Sequence, residues 1–372
     1  GCAGNTLTQA KAEEAAQEGK WIAAGCWHNC GGRCLNKAYV VDGVAVRQKT
    51  DDTHPDTPDY PQQRGCHRGR SQRHQVFGAD RLKYPMKRKH WEPGGGQKEL
   101  RGRDECVRIS WDEALDLVAA ELKRIKETYG NKAILGTSRL LNFYGGGLVR
   151  WGSSSSGAWA AVQECMTGGF SWKANDRLDW RNAKLIVMWG ANPARSNLGN
   201  PTYNLLQAKK AGARFIFVDP QITPSVRVLA DKYIPCRPGT DTALLIGMAY
   251  HMIENNLQDQ EFLDKYTVGF DKDHMPEGAD PKENFKDYVL GTYDGIPKTP
   301  EWASEICGTD PQLIRDFATE VATTKPVIFN SSFAPARTYR GQQFCQAFLT
   351  VGWMTGNVGK PGAGVWTMNY AR

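Results

Sequence analysis

No stretch of this chain approaches eighteen consecutive apolar residues, which excludes a helix long enough to cross a bilayer within these 372 residues. There is no G-x-G-x-x-G, so a nicotinamide dinucleotide site is not supported. No internal repeat is visible. Cysteine is too sparse for a disulfide framework: ten residues, at 2, 26, 30, 34, 66, 106, 165, 236, 307 and 345, whereas a stapled domain is short and dense in thiols. Basic residues crowd into HRGRSQRHQ and RLKYPMKRKHW, yet the net charge is only +7 and no nucleic-acid-binding motif accompanies them. A basic lining for an anionic cofactor explains these clusters equally well.

What is present is length enough for two or three compact domains with real cores, at an ordinary 40% hydrophobic content. The opening, GCAGNTLTQAKAEEAAQEGK, resembles the region just past a cleaved export signal, with Cys2 a candidate for lipid modification.

The clustered thiols carry the first chemical signal. GCWHNCGGRC places Cys26, Cys30 and Cys34 at even spacing, and Cys66 follows in GCHRGRS. Zinc modules usually pair their thiols as two close couples, whereas three plus a distant fourth suits an iron–sulfur cubane with four iron corners. Zinc, or unrelated free thiols, is the plainer alternative. His28 lies between ligands and reads as a neighbour of the group it surrounds. Arg68, two residues past Cys66, sets a fixed cation beside any cluster there, with planar donors able to reach a second cofactor. The scattered cysteines read as buried small hydrophobes.

Around the thiols the pattern is legible in outline. AYVVDGVAVRQ (38–48) predicts a hairpin turning at Asp42-Gly43. ISWDEALDLVAAELKRIKETYG predicts a helix with a capping box from Ser110 to Glu113. Its apolar face would hold Ala114, Leu115, Val118, Leu122 and Ile125, and Gly130 would stop it. NKAILGTS predicts a buried strand. A loop of glycine and serine follows, with Tyr144, Trp151 and Trp159 interleaved. From residue 184 strands and helices alternate through KLIVMWG, TYNLLQAKKAG, ARFIFVDP, DKYIPC and DTALLIGMAYHMIENN, then DPQLIRDFATEVATTKPVIFNSSF. That rhythm predicts a parallel sheet with helices on both faces.

Three loops at consecutive strand ends make a second constellation. MWGANPARSN sets Gly190, Asn192 and Pro193 beyond the first strand, FVDP sets Asp219 and Pro220 beyond the second, and RPGTD sets Gly239 and Asp241 at a helix start. Asp219 suits ribose hydroxyls, and Asp241 suits the N1 and N2 hydrogens of a guanine. Each is ordinary turn punctuation alone, but three in succession point to a nucleotide site.

CWHNCGGRC, GCHRGRS, DRLKYPMKR, ISWDEALD, WGANPARS, FVDPQITPS, RPGTDTALLIGMAY, FLDKYTVGFD, KTPEWASEICG and MTGNVGKPGAG, in that order, resemble the catalytic subunits of the dimethyl sulfoxide reductase family of molybdopterin oxidoreductases. The likeness runs from about Trp21 to Gly364 and is nearest to the anaerobic, membrane-associated type. It implies an α/β fold: a small iron–sulfur domain with a β-hairpin, followed by αβα, Rossmann-like domains with mainly parallel sheets. The expected organisation is a post-signal extension over 1–20, a [4Fe-4S] domain over 21–75, and the first part of an αβα middle domain over 76–150. An αβα guanine-dinucleotide-binding domain then spans 151–356, and a return into the middle domain begins over 357–372.

The resemblance further implies a [4Fe-4S] cluster on Cys26, Cys30, Cys34 and Cys66. It implies molybdenum (or tungsten) held by two molybdopterin guanine dinucleotides, with Arg68 between cluster and pterin. The Gly190–Asn192 loop with Pro193, Asp219, Pro220, Gly239 and Asp241 would hold one guanosine end. The metal ligand in this family type is a serine, and matching RWGSSSSGAW on Gly152 selects Ser155, with Ser154 and Ser156 as neighbours. The family has Asp and Tyr where Ser153 and Ser154 stand, and no cysteine occupies the loop, unlike the nitrate reductase and formate dehydrogenase branches. The implied reaction takes an oxygen atom from a small S-oxide or N-oxide, with electrons arriving through the cluster. Implied partners are a ferredoxin-like iron–sulfur subunit and a membrane anchor subunit, on the outer face of the cytoplasmic membrane or in the periplasm. No nucleic acid is expected. Rival readings are the same cofactors used for aromatic dehydroxylation, and a non-catalytic electron-transfer module.

Overall fold

The computed structural model describes residues 18–26, 28, 30–136, 138–149, 152–169 and 175–367. Cys2, Trp27 and Trp151 lie outside the described residues, as does most of the 1–20 extension. Two compact units emerge: Gly1–Arg73 together with Ser154–Arg372, and His74–Ser153. The segments read as a cluster domain and a nucleotide domain therefore fall in one unit.

In the first unit, β1 (Lys20–Cys26), β2 (Cys34–Val41) and β3 (Val44–Thr50) form an antiparallel sheet in that order. The β2–β3 turn has Asp42 at φ 47° and Gly43 at φ 80°. Positive φ at both central residues suits the right-handed strand twist, which is why Asp-Gly is found there. Pairing of β1 with β2 sets Cys26 directly opposite Cys34.

A second sheet carries most of the unit. Counting β4 (Met86–Arg88) and β5 (Cys106–Arg108) in the other unit, its strands are β6 (Leu185–Trp189), β7 (Arg214–Val218), β8 (Lys232–Ile234), β9 (Val327–Ser331) and β10 (Gly364–Thr367). The order is β10-β9-β6-β7-β8, and every pairing is parallel. β6 and β9 are buried along their whole length, as apolar runs covered on both faces must be. In β6 the two-residue period sends Leu185, Val187 and Trp189 to one core and Ile186 and Met188 to the other. The first core packs the helices Asp241–Glu254, Pro311–Thr323 and Gly341–Met354; the second packs Asn200–Lys210 and Pro224–Leu229. β10 comes from beyond residue 356, so the segment expected to return to a middle domain adds an edge strand here, in register with β9.

The larger core is aromatic at its centre. Phe348 sits 5.7 Å from Trp159 and from Phe344, 5.9 Å from Phe329 and 6.0 Å from Trp189, between ring centroids. Phe348→Ala is expected to cost about 3–5 kcal/mol through lost transfer energy plus the cavity left behind. A urea midpoint unchanged from the parent protein would contradict this packing.

In the second unit, β4 and β5 pair antiparallel ahead of the long helix Trp111–Tyr129. Ser110 Oγ accepts from the Glu113 N–H at 3.0 Å, and Gly130, at φ 74°, ends the helix. Two expectations need correction. Leu122 and Ile125 are partly covered, but Leu115 and Val118 are 60% and 58% exposed, so only part of the apolar face is buried within this unit. NKAILGTS is not a strand: Asn131–Ala133 is a 3-10 turn, and Leu135 makes a single bridge to Leu148. A ladder needs a run of partners, and among the described residues only one bridge forms.

Candidate functional site

From β6 the sheet grows one way to β7 and β8, and the other way to β9 and β10. The carboxyl ends of β6 and β9 thus flank the point where strand order reverses, where open α/β sheets bind their ligands. A cavity of about 500 Å³ opens there. Gly190, Asn192, Ser332 and Arg337 line it from the sheet side; Cys26 and Cys34 line it from the ends of β1 and β2, and Cys30, Cys66 and Arg68 from the turn and short helix beside them.

The loop after β6 is built to stay close. Gly190 has φ 57°, and a Cβ there would stand 2.6 Å from Pro335 Cγ. Its carbonyl accepts from Ser332 Oγ, joining the loops that leave β6 and β9. Asn192 Oδ1 accepts from Ser225 Oγ at 2.8 Å, and Ser225 Oγ accepts from the Ala194 N–H at 2.9 Å. Asn192 therefore holds its own loop as well as lining the cavity. Pro193 is buried at the first turn of a short helix and does not line the cavity.

The four sequence-selected thiols converge, and none is in a disulfide. Cys26 and Cys34 are buried, Cys30 and Cys66 partly so. A Cβ on Gly32 would lie 3.0 Å from Cys34 Sγ and 3.5 Å from Cys30 Sγ; one on Gly69 would lie 3.1 Å from Cys26 Sγ. These glycines leave room around the sulfurs that any side chain would take. Among the described residues, the His, Cys, Asp and Glu donors gathered in groups of three or more within 4.8 Å of one another are Asp264, Asp271 and His274, a partly exposed group already hydrogen-bonded internally. The thiols are not so crowded, whereas a tetrahedral zinc with 2.3 Å bonds draws its sulfurs to roughly 3.8 Å. The nest fits a larger group.

Burial pushes the Cys26 and Cys34 thiols up, and the charge of neighbouring cysteines adds to the rise. Thiolates gathered around one cavity need positive charge among them to remain ionised, which a bound metal cluster would supply. Asn36 stands behind the nest, 1% exposed, with no partner among the described residues for either side-chain amide atom, packed on Gly65 immediately before Cys66. A buried amide left unpaired is costly, and Asn36 is not among the residues that line the cavity.

A second cavity, of about 250 Å³, opens at the start of the helix Asp241–Glu254, lined by Gly239, Asp241, Tyr288, Trp302, Tyr339 and Arg340 among others. Asp241 Oδ1 accepts from Trp189 Nε1 at 2.7 Å. Burial pushes its carboxyl up, and the indole hydrogen bond offsets part of that. Asp219 is buried at the end of β7. Burial raises its carboxyl too, with the charge of Asp241 adding, and its Oδ1 accepts from the Gln221 N–H at 3.1 Å. Asp219 and Pro220 line neither cavity.

Ser155 is exposed and also lines neither cavity; its carbonyl accepts from Arg337 Nε at 3.1 Å, and Arg337 lines the larger one. Sequence reasoning missed Ser332 and Arg337. The serine pair ending VIFNSSF was their one signal, since polar residues at a buried strand's carboxyl end mark a binding edge.

Comparison with known proteins gives a consistent picture. Residues 81–372 match the molybdopterin oxidoreductase family. The chain is 40% identical to the dimethyl sulfoxide reductase DmsA of Escherichia coli K12, over 91% of this chain and 44% of that protein. It is 31% identical to the trimethylamine-N-oxide reductase of Haemophilus influenzae, over 78% of this chain and 37% of that protein. Acetylene hydratase of Pelobacter acetylenicus superposes with a TM-score of 0.67 at 23% identity, covering 92% of this chain and 44% of that one, a likeness of fold. The chain thus spans less than half the length of the curated relatives it matches.

Proposed function

Because the chain belongs to the molybdopterin oxidoreductase family, we propose that it serves in a molybdenum reductase acting on S-oxides or N-oxides. The observation that carries this is the meeting of four free cysteines, Arg68 and the Gly190–Asn192 loop around one cavity at the sheet's switch point. Cys26, Cys30, Cys34 and Cys66 hold a [4Fe-4S] cluster in this reading. The switch-point loops and the Asp241 cavity receive a guanine-dinucleotide form of molybdopterin carrying molybdenum, or tungsten. Bound there, the metal supplies oxygen-atom transfer and the cluster supplies single electrons.

The chain's own residues bind and orient. Arg68 presents a cation to the space between thiols and nucleotide loop, where it lowers the cost of added negative charge. Gly190 allows the backbone close approach. Asp241 offers a carboxylate for a guanine edge, fixed from behind by Trp189. Relatives named for sulfoxide and amine-oxide reduction support the substrate class. We infer further that electrons come from a ferredoxin-like subunit on a membrane anchor, at the outer face of the cytoplasmic membrane or in the periplasm.

Elemental analysis of the purified full-length protein tests the core of this reading. Iron with molybdenum or tungsten, a brown chromophore, and viologen-linked reduction of dimethyl sulfoxide or trimethylamine N-oxide are expected. Zinc without iron would end it.

Asp241 yields a separate prediction. Its folded-state pKa is raised, so the ionised carboxylate opposes folding once pH exceeds the ordinary carboxylate range. Asp241→Asn should therefore raise the melting temperature of the nucleotide-free protein at neutral pH, with the advantage vanishing in acid. Guanine-nucleotide retention should meanwhile fall at least tenfold, since a charge-assisted acceptor is lost. A variant that is no more stable at pH 7 and binds as tightly would refute the assignment.

A further inference from the structure

The loop between Cys30 and Cys34 is held from outside its own sheet. Arg177 Nη2 donates to the Gly31 carbonyl at 3.0 Å and Nη1 to the Gly32 carbonyl at 3.4 Å. Asn197 Nδ2 donates to the Cys30 carbonyl, so three successive carbonyls are taken by side chains from far along the chain. The Asn200 N–H, at the start of the helix Asn200–Lys210, donates to the Cys34 sulfur. A Cβ on Gly199 would meet the Cys66 N–H at 3.0 Å, so this segment also lies flat against the fourth ligand's backbone.

We propose that Arg177 is a positioning residue that fixes the Cys30–Cys34 loop and raises the reduction potential of the cluster those cysteines hold. The proposal rests on the four-cysteine cluster assignment made above. Only a planar guanidinium can fork across two successive carbonyls, which accounts for arginine at this position. The side chain is partly buried, and the sulfurs of Cys34 and Cys30 lie within reach of its charge, alongside Asp176 of opposite sign and Arg33 of like sign. Asp176 also accepts from the Leu178 N–H at 2.8 Å, which starts the turn that carries Arg177.

Reduction adds one negative charge to a cluster. A cation fixed nearby, with little water between, stabilises the reduced form, and the Asn200 N–H toward sulfur acts in the same sense. Arg68 follows Cys66 and is exposed, whereas Arg177 is partly buried and grips the loop between the second and third ligands.

The test is an EPR-monitored redox titration of the holoprotein carrying Arg177→Gln or Arg177→Lys, with iron measured on the same samples. Both variants are expected to retain iron. The reduction equilibrium of Arg177→Gln should fall about tenfold, equivalent to 59 mV for a one-electron couple. Arg177→Lys, which keeps the charge but not the fork, should fall distinctly less. Unchanged potential in the Gln variant with full iron would reduce Arg177 to a loop anchor and overturn the proposal. So would equal falls in both variants, or loss of cluster from both while each stays folded. An unsubstituted protein that binds no iron would sink the thiol assignment itself, a result read before any variant is made.

Discussion

The Cys66→Ser protein is expected to lose its brown chromophore and most of its iron while remaining folded. Cys66 is remote in sequence from the other three thiols yet faces the same cavity, so it closes a set that three ligands cannot complete. Its backbone is pinned by the close approach of Gly199, so no neighbouring cysteine can move in to replace it. Serine is nearly isosteric, which keeps the packing, but its hydroxyl does not ionise as a thiol does and is a harder donor than iron–sulfur chemistry prefers. Cys165→Ser is the control: Cys165 is exposed on the helix Gly157–Thr167 and should leave iron content untouched. Full iron in the Cys66 variant, or equal loss in the Cys165 variant, would show that the ligand set is wrong.

Ser155→Ala is expected to abolish turnover in the molybdenum-loaded protein and to change the metal's EPR signature, with iron content unaffected. Ser153→Ala should do neither. A serine oxygen is a hard donor suited to high-valent molybdenum, so its loss should show at that metal and not at the cluster. The serine loop is tied to a cavity-lining residue through its backbone. Arg337 binds the Ser155 carbonyl and lines the large cavity, tying the loop to the rim. Ser156 stands at the N-cap of the next helix without capping it through its side chain, so helix stability does not confuse the comparison. Turnover retained in Ser155→Ala and lost in Ser154→Ala or Ser156→Ala would move the ligand by one residue. Retention in all three would remove the serine-ligated branch from consideration.

Much of the sheet was legible because its strands announce themselves locally. LIVMW and RFIFV are short apolar runs bounded by turn residues, and no helix of that length forms a core. β10 was not legible: GVWT follows a glycine- and proline-rich loop, and its burial depends on pairing with a strand whose own sequence is distant. The strand expected at NKAILGTS failed for the complementary reason, since propensity without a partner ladder does not make a sheet. At the site, cysteine spacing and strand-end loops pointed to Cys26, Cys30, Cys34, Cys66, Gly190, Asn192, Gly239 and Asp241, which line the two cavities. Arg177, Asn197 and Ser332 stayed hidden, because their residue types are common and their roles come from contacts made across 142 to 167 positions.

Those long separations also fix an order of events during biogenesis. Cys66, the last of the four cysteines, leaves the ribosome with about 130 residues still to be made before Asn197 and Asn200 can close the nest, a wait of roughly 7–26 s. During that interval the thiols sit on a small hairpin sheet with the wall behind Cys30, Cys34 and Cys66 missing. A cluster inserted then would meet water and oxidants from one side, whereas one inserted after the parallel sheet has folded meets Arg177 and Asn200 already in place. On the proposed cluster assignment loading is a late step, and slowing the folding of residues 177–210 should lower iron occupancy without altering any of the four cysteines.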